Sequence, residues 1–146
     1  MDSYILSTDT VALSTATAKT VAHIATPATG RIKISYISIA LDGAASATPA
    51  RVDLLRQTTA GTATSTTANP IDPDAPASLT TCTKNCTSEP TASTILYSWY
   101  IPNGGQTFMI NFAPGEEPLV QESGRIGIRI NSPLACNSIT NISFIE

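Results

Sequence analysis

A segment of alternating apolar and polar residues reads Gly30-Arg-Ile-Lys-Ile-Ser-Tyr-Ile-Ser-Ile-Ala-Leu-Asp-Gly43. The alternation holds up to Tyr36, and a slip of one residue at Tyr36–Ile37 then moves the apolar positions to the other parity. Strict alternation is typical of a half-buried β-strand, and a one-residue slip reverses its two faces. The segment therefore predicts a strand that either carries a β-bulge at this point or is covered on both faces.

A second strand is predicted in the segment Ala50-Arg-Val-Asp-Leu-Leu-Arg-Gln-Thr-Thr-Ala-Gly61, because Val52 and Leu54 alternate with charged residues. Asp42-Gly43 is a turn signal between the two strands. Outside this pair, the same kind of pattern predicts strands at 20–25, 93–101, 106–112, 124–131 and 138–145, and a short apolar contact at 119–120. Residues 1–15 are expected to form an N-terminal arm or an edge strand.

These segments add up to about eight short strands, and no segment favours a helix. We therefore predict an all-β protein, an antiparallel eight-stranded β-sandwich that is jelly-roll-like. An immunoglobulin-like sandwich is the alternative, although no cysteine pair brackets Trp99 with suitable spacing. Residues 16–146 are expected to form a single domain, with Ile34, Tyr97, Trp99 and Ile128 in its core.

Residues 62–91 differ from the rest of the chain, because they contain several prolines and few large apolar residues apart from Ile71 and Leu79. Prolines and clustered small polar residues indicate a loop. Loops of this length inside a compact domain are uncommon and are usually functional or disordered. We therefore expect 62–91 to be a long loop that contacts another molecule.

The charge composition argues against a nucleic-acid partner. The chain has eight Lys+Arg, eleven Asp+Glu, a net charge of −3 and only 13% charged residues, so it has no cationic excess to neutralise phosphates. A surface rich in Thr, Ser and Ala favours contact with other proteins. There is no apolar run long enough to span a membrane and no signal-peptide pattern at the N-terminus, so we expect no membrane partner and folding in a cytoplasm.

Catalytic and metal-binding patterns are weak. His23 is the only histidine, and Glu116-Glu117 and Asp72-Pro-Asp74 lie in proline-rich turns, where a glycosidase pair or a calcium site is less expected than a solvated loop. Cys82 and Cys86 are spaced for a small disulfide loop, whereas a zinc site lacks a nearby fourth ligand. The sequence thus favours a protein that is not an enzyme and needs no cofactor or metal.

Several segments, in order along most of the chain, resemble a group of small all-β proteins from tailed phages and prophages that are encoded among the capsid genes. They are Pro49-Ala-Arg-Val-Asp-Leu-Leu-Arg-Gln-Thr-Thr-Ala-Gly61, Asp74-Ala-Pro-Ala77, Glu89-Pro-Thr91, Pro102-Asn-Gly-Gly105, Pro114-Gly-Glu-Glu-Pro118 and Gly124-Arg-Ile-Gly-Ile-Arg129. The resemblance implies a capsid decoration (cement) protein on the virion exterior. Its partners would be the major capsid protein and further copies of itself, commonly in a homotrimer.

We therefore expect a protein that binds the outer surface of the capsid shell and stabilises the head. A head-fibre or surface module that binds carbohydrate or a host is the alternative, and an exposed Tyr100 beside Trp99 would favour it. The apolar residues predicted to contact the capsid or a neighbouring subunit are Tyr4, Ile5 and Leu6 in the N-terminal segment and Ile71 and Leu79 in the 62–91 segment.

Overall fold

The computed structural model describes residues 1–146, apart from the side chain of Ser93, and contains strands but no helix in that range. The thirteen strands are β1 (Ser3–Ser7), β2 (Val11–Leu13), β3 (Lys19–Ala25), β4 (Ile32–Leu41), β5 (Ala50–Gln57), β6 (Thr62–Thr66), β7 (Asn69–Pro70), β8 (Thr81–Ser88), β9 (Ala92–Ile101), β10 (Thr107–Asn111), β11 (Leu119–Val120), β12 (Arg125–Asn131) and β13 (Cys136–Ile145). The prediction of an all-β protein is confirmed.

The strands form two antiparallel sheets that enclose one apolar core, as in a β-sandwich. The order in the first sheet, sheet A, is β10-β4-β13-β1-β7, with β11 also paired to β4 and β2 to β13. The order in the second, sheet B, is β6-β8-β3-β12-β5-β9. The core is formed mainly by isoleucine, leucine and valine from both sheets, with Phe144 as its largest fully buried side chain.

Eight of the strands pair in a nested order. Strand β1 pairs with β13, β3 with β12, β4 with β10 and β5 with β9. The pairs β4–β13 and β5–β12 then join these partners within each sheet. The chain therefore resembles a long hairpin whose two arms are folded over together, so that its first strand, β1, and its last, β13, lie side by side.

The long strands lie where the alternation places them, but the count of eight was too low. Three of the extra strands, β6, β7 and β8, lie in residues 62–91, so the expectation of one long loop was wrong. Threonine is β-branched and suits a pleated surface. Strands β6 and β7 lie at sheet edges, whereas β8 lies between β6 and β3 and places only Cys82 and Cys86 in buried positions, so its apolar signal is weak. The longest part of this segment without a strand is 71–80, between β7 and β8.

The phase slip at Tyr36 is a β-bulge. Ser143 of β13 pairs with Tyr36, whereas the next residue, Phe144, pairs with Ile34, so Ser35 is the extra residue on β4. The Ser35 hydroxyl donates a hydrogen bond to the Ser143 carbonyl at 3.1 Å. The bulge keeps Ile34 and Ile37 buried on the same core despite their odd spacing.

The N-terminal segment is not an arm. Strand β1 lies between β13 and β7, and Tyr4 and Leu6 are buried in the core. The Tyr4 and Phe144 rings stack with centroids 5.7 Å apart. Residues 1–15 therefore form part of sheet A. Strand β1 pairs with β13 and β7, β2 pairs with β13, and the alternate apolar residues of both strands are buried.

Other core predictions had mixed outcomes. Ile34 and Ile128 are fully buried, as predicted. Trp99 is only half-buried and Tyr97 is 39% exposed, because β9 is the last strand of sheet B and has a neighbour on one side only. All three cysteines are free thiols, so Cys82 and Cys86 form no disulfide.

Candidate functional site

The exposed large apolar side chains concentrate in two places. One group lies along β9 and β10, and the other lies where the two chain termini meet the segment between β7 and β8. We call the first the aromatic edge, formed by Ile95, Tyr97, Trp99, Phe108 and Phe112. We call the second the apolar end, formed by Met1, Ile71, Leu79, Leu119 and Ile145.

The aromatic edge lies where both sheets end on the same side of the sandwich. Strand β9 is the last strand of sheet B, β10 is the last strand of sheet A, and the turn at Pro102-Asn-Gly-Gly105 connects them. Gly104 and Gly105 have φ angles of +103° and +85°, which L-residues with side chains rarely adopt. Each edge strand leaves one row of backbone N–H and C=O groups without a strand partner in the described chain.

Aromatic rings stiffen this edge. The rings of Tyr97 and Trp99 stack, Phe108 packs against Trp99 with centroids 5.3 Å apart, and Phe112 packs against Tyr97 at 5.4 Å. Neither β9 nor β10 contains a charged residue. Natural edge strands are usually protected from unwanted pairing by charge, proline or bulges. Two register shifts interrupt the pairing of β9 with β5, but β9 has neither charge nor proline. A long, uncharged, aromatic edge is typical of a surface that another protein covers.

The apolar end combines several parts of the chain. A groove of about 320 Å³ is lined by the apolar residues Met1, Ile32, Leu119 and Ile145 together with the charged residues Arg31, Lys33 and Glu146. Leu79 is 70% exposed and Ile71 is 57% exposed beside it. Such a concentration of exposed apolar side chains marks an interaction surface more often than ordinary monomer surface.

Hydrogen bonds hold the segment between β7 and β8 against the ends of β1 and β13. The Ile71 amide donates to the Ser3 carbonyl at 2.9 Å, and the Tyr4 hydroxyl donates to the Pro76 carbonyl at 3.0 Å. The Glu146 carboxylate accepts hydrogen bonds from the Leu79 amide at 3.0 Å and the Ser78 hydroxyl at 2.7 Å. The two exposed apolar side chains are thus presented by a fixed segment, which lowers the entropic cost of binding.

The five residues that the sequence predicted as contacts differ in their exposure to solvent. Ile71 and Leu79 are exposed and belong to the apolar end, and Ile5 is half-buried. Tyr4 and Leu6 are inside the core, so their predicted role in contacts with other molecules is wrong: burial in their own subunit uses their apolar surface. The sequence did not predict the aromatic edge as a contact surface, because the uncharged, largely apolar run from Ile95 to Ile101 is typical of a strand in the core.

His23 is a buried structural residue. It is almost fully buried in β3, and its Nδ1 lies 3.3 Å from the Thr83 hydroxyl. Burial, and to a lesser extent the charge of Arg125, lowers the pKa of His23 to about 4. Its ring is therefore neutral near pH 7. In the described part of the chain, His, Cys, Asp and Glu form no group of three or more that could hold a metal.

The turn that contains Glu116 and Glu117 is stabilised by hydrogen bonds within the turn itself. The Gly115 amide donates a hydrogen bond to the Glu117 carboxylate at 2.6 Å, and backbone hydrogen bonds lower the pKa of Glu117. Glu116 is exposed at the tip of the same turn. This arrangement stabilises the turn and leaves the two carboxylates in the solvated position that the sequence favoured.

The chain matches no protein-family model, and neither the curated proteins nor the solved structures include one that is significantly similar to it. Within the described residues, no helix long and apolar enough to cross a membrane is present.

Proposed function

We propose that this protein is a decoration (cement) protein of a tailed-phage or prophage capsid, a structural subunit rather than an enzyme. It binds the outer surface of the major capsid protein shell and stabilises the head. The observation that carries the proposal is the presence of two separate apolar surfaces on one rigid sandwich, the uncharged aromatic edge and the apolar end, which has Arg31, Lys33 and Glu146 beside it. A subunit that joins its own copies and also attaches to a shell requires two such surfaces, and the resemblance of the sequence segments points to the same class.

The strand order supports a jelly roll as the fold. Eight strands in two antiparallel sheets with Greek-key connections define that fold. The nested pairs β1–β13, β3–β12, β4–β10 and β5–β9 agree with it, and the remaining strands are additions at the edges and between β5 and β9. An immunoglobulin-like sandwich divides its strands differently between the sheets.

The two surfaces have different roles in this proposal. The aromatic edge is the self-association surface, because exposed edge strands and aromatic rings of neighbouring subunits can pair closely. A homotrimer fits the three-way junctions of a capsid lattice. The apolar end is the surface that contacts the shell, because Ile71 and Leu79 project from a fixed segment beside both chain termini.

A carbohydrate- or host-binding head-fibre module is the second candidate, and one observation favours it. Tyr100 is 72% exposed and lines a groove of about 210 Å³ with Arg51, Ser98 and Trp99. An exposed aromatic ring beside hydrogen-bonding groups is the kind of surface on which sugars stack.

Light scattering and co-sedimentation separate the two candidates. The purified protein is measured alone and with empty capsids of the phage that encodes it, and the double variant Ile71→Ser/Leu79→Ser is measured alongside. Decoration predicts saturable capsid binding by the unaltered protein and loss of that binding in the double variant, with the fold intact. Absence of capsid binding, combined with glycan binding that Tyr100→Ala abolishes, supports the alternative and rejects the proposal.

A further inference from the structure

The turn between β9 and β10 contains the only Asn-Gly pair of the chain, Asn103-Gly104. Asparagine followed by glycine is the pair most prone to deamidation, because glycine has no side chain that hinders attack of its backbone nitrogen on the asparagine side chain. Each of the other six asparagines is followed by a larger residue. Asn103 is therefore the position at which the sequence most favours this reaction.

The folded chain encloses the Asn103 side chain. Only 5% of the residue is exposed, and its Nδ2 donates a hydrogen bond to the Ser132 hydroxyl oxygen at 3.0 Å. Ser132 is itself fully buried, and its hydroxyl donates to the Leu134 carbonyl at 2.7 Å. The Asn103 carboxamide is therefore held by a second buried group and is not free to rotate toward its own backbone.

The backbone of the turn is fixed as well. Gly104 packs so closely that a Cβ at this residue would lie within 3.1 to 3.3 Å of three Ala45 atoms, and the Gly105 amide donates to the Leu41 carbonyl at 3.0 Å. For deamidation, the Gly104 nitrogen must reach Cγ of Asn103, which requires rotation of the asparagine side chain and of the peptide between the two residues. In the folded state this rotation breaks the hydrogen bond to Ser132 and displaces a turn that is held on both sides.

We propose that Asn103 is a deamidation site that folding protects, so that unfolded chains react there and the folded protein does not. In the reaction, the Gly104 nitrogen forms a bond to Cγ of Asn103, the bond between Cγ and Nδ2 breaks, and ammonia leaves with the proton of the attacking nitrogen. Water then opens the resulting succinimide ring at one of its two carbonyls. The product is aspartate or isoaspartate at position 103, and water is the only co-reactant.

Neither product fits the position that Asn103 occupies. Aspartate replaces the Nδ2 donor by a carboxylate oxygen that faces the Ser132 hydroxyl, whose hydrogen is already donated to Leu134. The Oδ1 of Asn103 has no hydrogen-bond partner among the described residues, so the buried charge would be uncompensated. Isoaspartate adds a carbon to the backbone of a closely packed turn. A chain that deamidates while unfolded therefore cannot re-form the β9–β10 turn, and with it the aromatic edge.

The test compares the full chain folded in buffer with the same chain unfolded in guanidinium chloride at the same pH and temperature. Trypsin releases residues 85–125 as one peptide, which contains Asn85, Asn103 and Asn111, so mass spectrometry with fragmentation follows three asparagines together. In the unfolded chain, Asn103 should react fastest, because Asn85 and Asn111 precede larger residues. In the folded protein, Asn103 should react about tenfold or more slowly, since only locally opened molecules can react.

A serine variant tests the hydrogen bond that holds the side chain. Folded Ser132→Ala should deamidate at Asn103 about three- to tenfold faster than the unaltered protein, which corresponds to the loss of one hydrogen bond. Ser138→Ala is the matched control, because Ser138 is equally buried but its hydroxyl donates to the Val11 carbonyl at 3.4 Å. It should leave the rate at Asn103 unchanged. Equal rates in the two variants would overturn the role of the Ser132 hydrogen bond.

Refolding tests the consequence of the reaction. After dilution from denaturant, folded and unfolded chains are separated by size exclusion, and chains deamidated at Asn103 should be depleted from the folded fraction. Equal shares in both fractions would overturn the claim that the product cannot refold. Asn103 that reacts no faster than Asn111 in the unfolded chain, or equally fast in folded and unfolded protein, would overturn the proposal itself. These measurements use the unaltered chain, so they remain decisive if Ser132→Ala does not fold.

Discussion

The rings of Tyr97 and Trp99 lie parallel on the edge strand β9, with centroids 5.6 Å apart and an interplanar angle of 3°. Both side chains remain partly exposed although they belong to the most aromatic strand of the chain. The pair therefore forms a flat and rigid apolar surface at the open side of the sandwich. Such a surface loses little rotamer freedom on binding, which is why aromatic residues are enriched at protein interfaces.

The first prediction concerns self-association through this edge. Ile95→Lys should reduce the oligomer to monomer or weaken it by about tenfold or more, because a charge on the edge strand opposes close pairing with another copy. Ile139→Lys is the control, since Ile139 is similarly exposed, 42% against 45%, but lies on β13 in the other sheet. Sedimentation velocity over a concentration series measures the effect. Equal association of both variants would remove the aromatic edge as the subunit contact.

The second prediction compares two aromatic residues of unequal burial. Phe144→Ala should lower the free energy of unfolding by about 3–5 kcal/mol, as is usual for a fully buried aromatic ring. Trp99→Ala should cost roughly 2 kcal/mol in the monomer, because part of its ring is already in contact with water. Urea unfolding followed by circular dichroism measures both values. A larger cost for Trp99 than for Phe144 would show that the edge is more deeply buried than its structure indicates.

The third prediction concerns the N-terminal segment. Deleting residues 1–10 should prevent stable folding, because it removes Tyr4 and Leu6 from the core and leaves β13 without its β1 partner. Circular dichroism and amide hydrogen exchange of the truncated chain measure the outcome. A truncated protein with native protection in β13 would mean that β1 contributes little to the sandwich.

The fourth prediction concerns pH and His23. The pKa of His23 is lowered from 6.5 to about 4 in the folded protein, first by burial and then by the charge of Arg125. The folded state therefore disfavours the protonated ring, so stability is complete above pH 6.5 and is lost progressively as the pH falls from 6.5 to about 4. The difference between these two pKa values corresponds to roughly 3 kcal/mol.

His23→Gln serves as the comparison for this prediction, because it keeps a polar side chain that does not titrate. The variant should lack the part of the acid destabilisation that occurs between pH 6.5 and pH 4, while carboxylates such as Asp53 still titrate in both proteins. Urea unfolding at a series of pH values gives the difference between the two stability curves. Parallel curves over this interval would show that the buried ring is not the source of the effect.

The sequence by itself determined the fold class and most of the strands. The alternation of apolar and polar residues in β4, β5 and β12 is a local property with a period of two residues, and it requires no knowledge of the rest of the chain. The phase slip at Tyr36 predicted either a bulge or a strand covered on both faces, and the pairing of β4 with β13 shows that it is a bulge. Ile71 and Leu79 were also recognisable, as large apolar residues in a segment otherwise rich in proline and small polar residues.

Only the tertiary structure decided which strands lie at an edge. Strand β9 is apolar enough for the centre of a sheet yet is the last strand of sheet B, whereas the short β1 lies between β13 and β7. The polar groove lined by Arg56 and Arg125 is also a product of folding, since these residues come from distant parts of the sequence and meet where β5 pairs with β12. Periodicity shows which face of a strand is apolar but not which strand pairs with it, because pairing depends on long-range contacts between segments that no local pattern records.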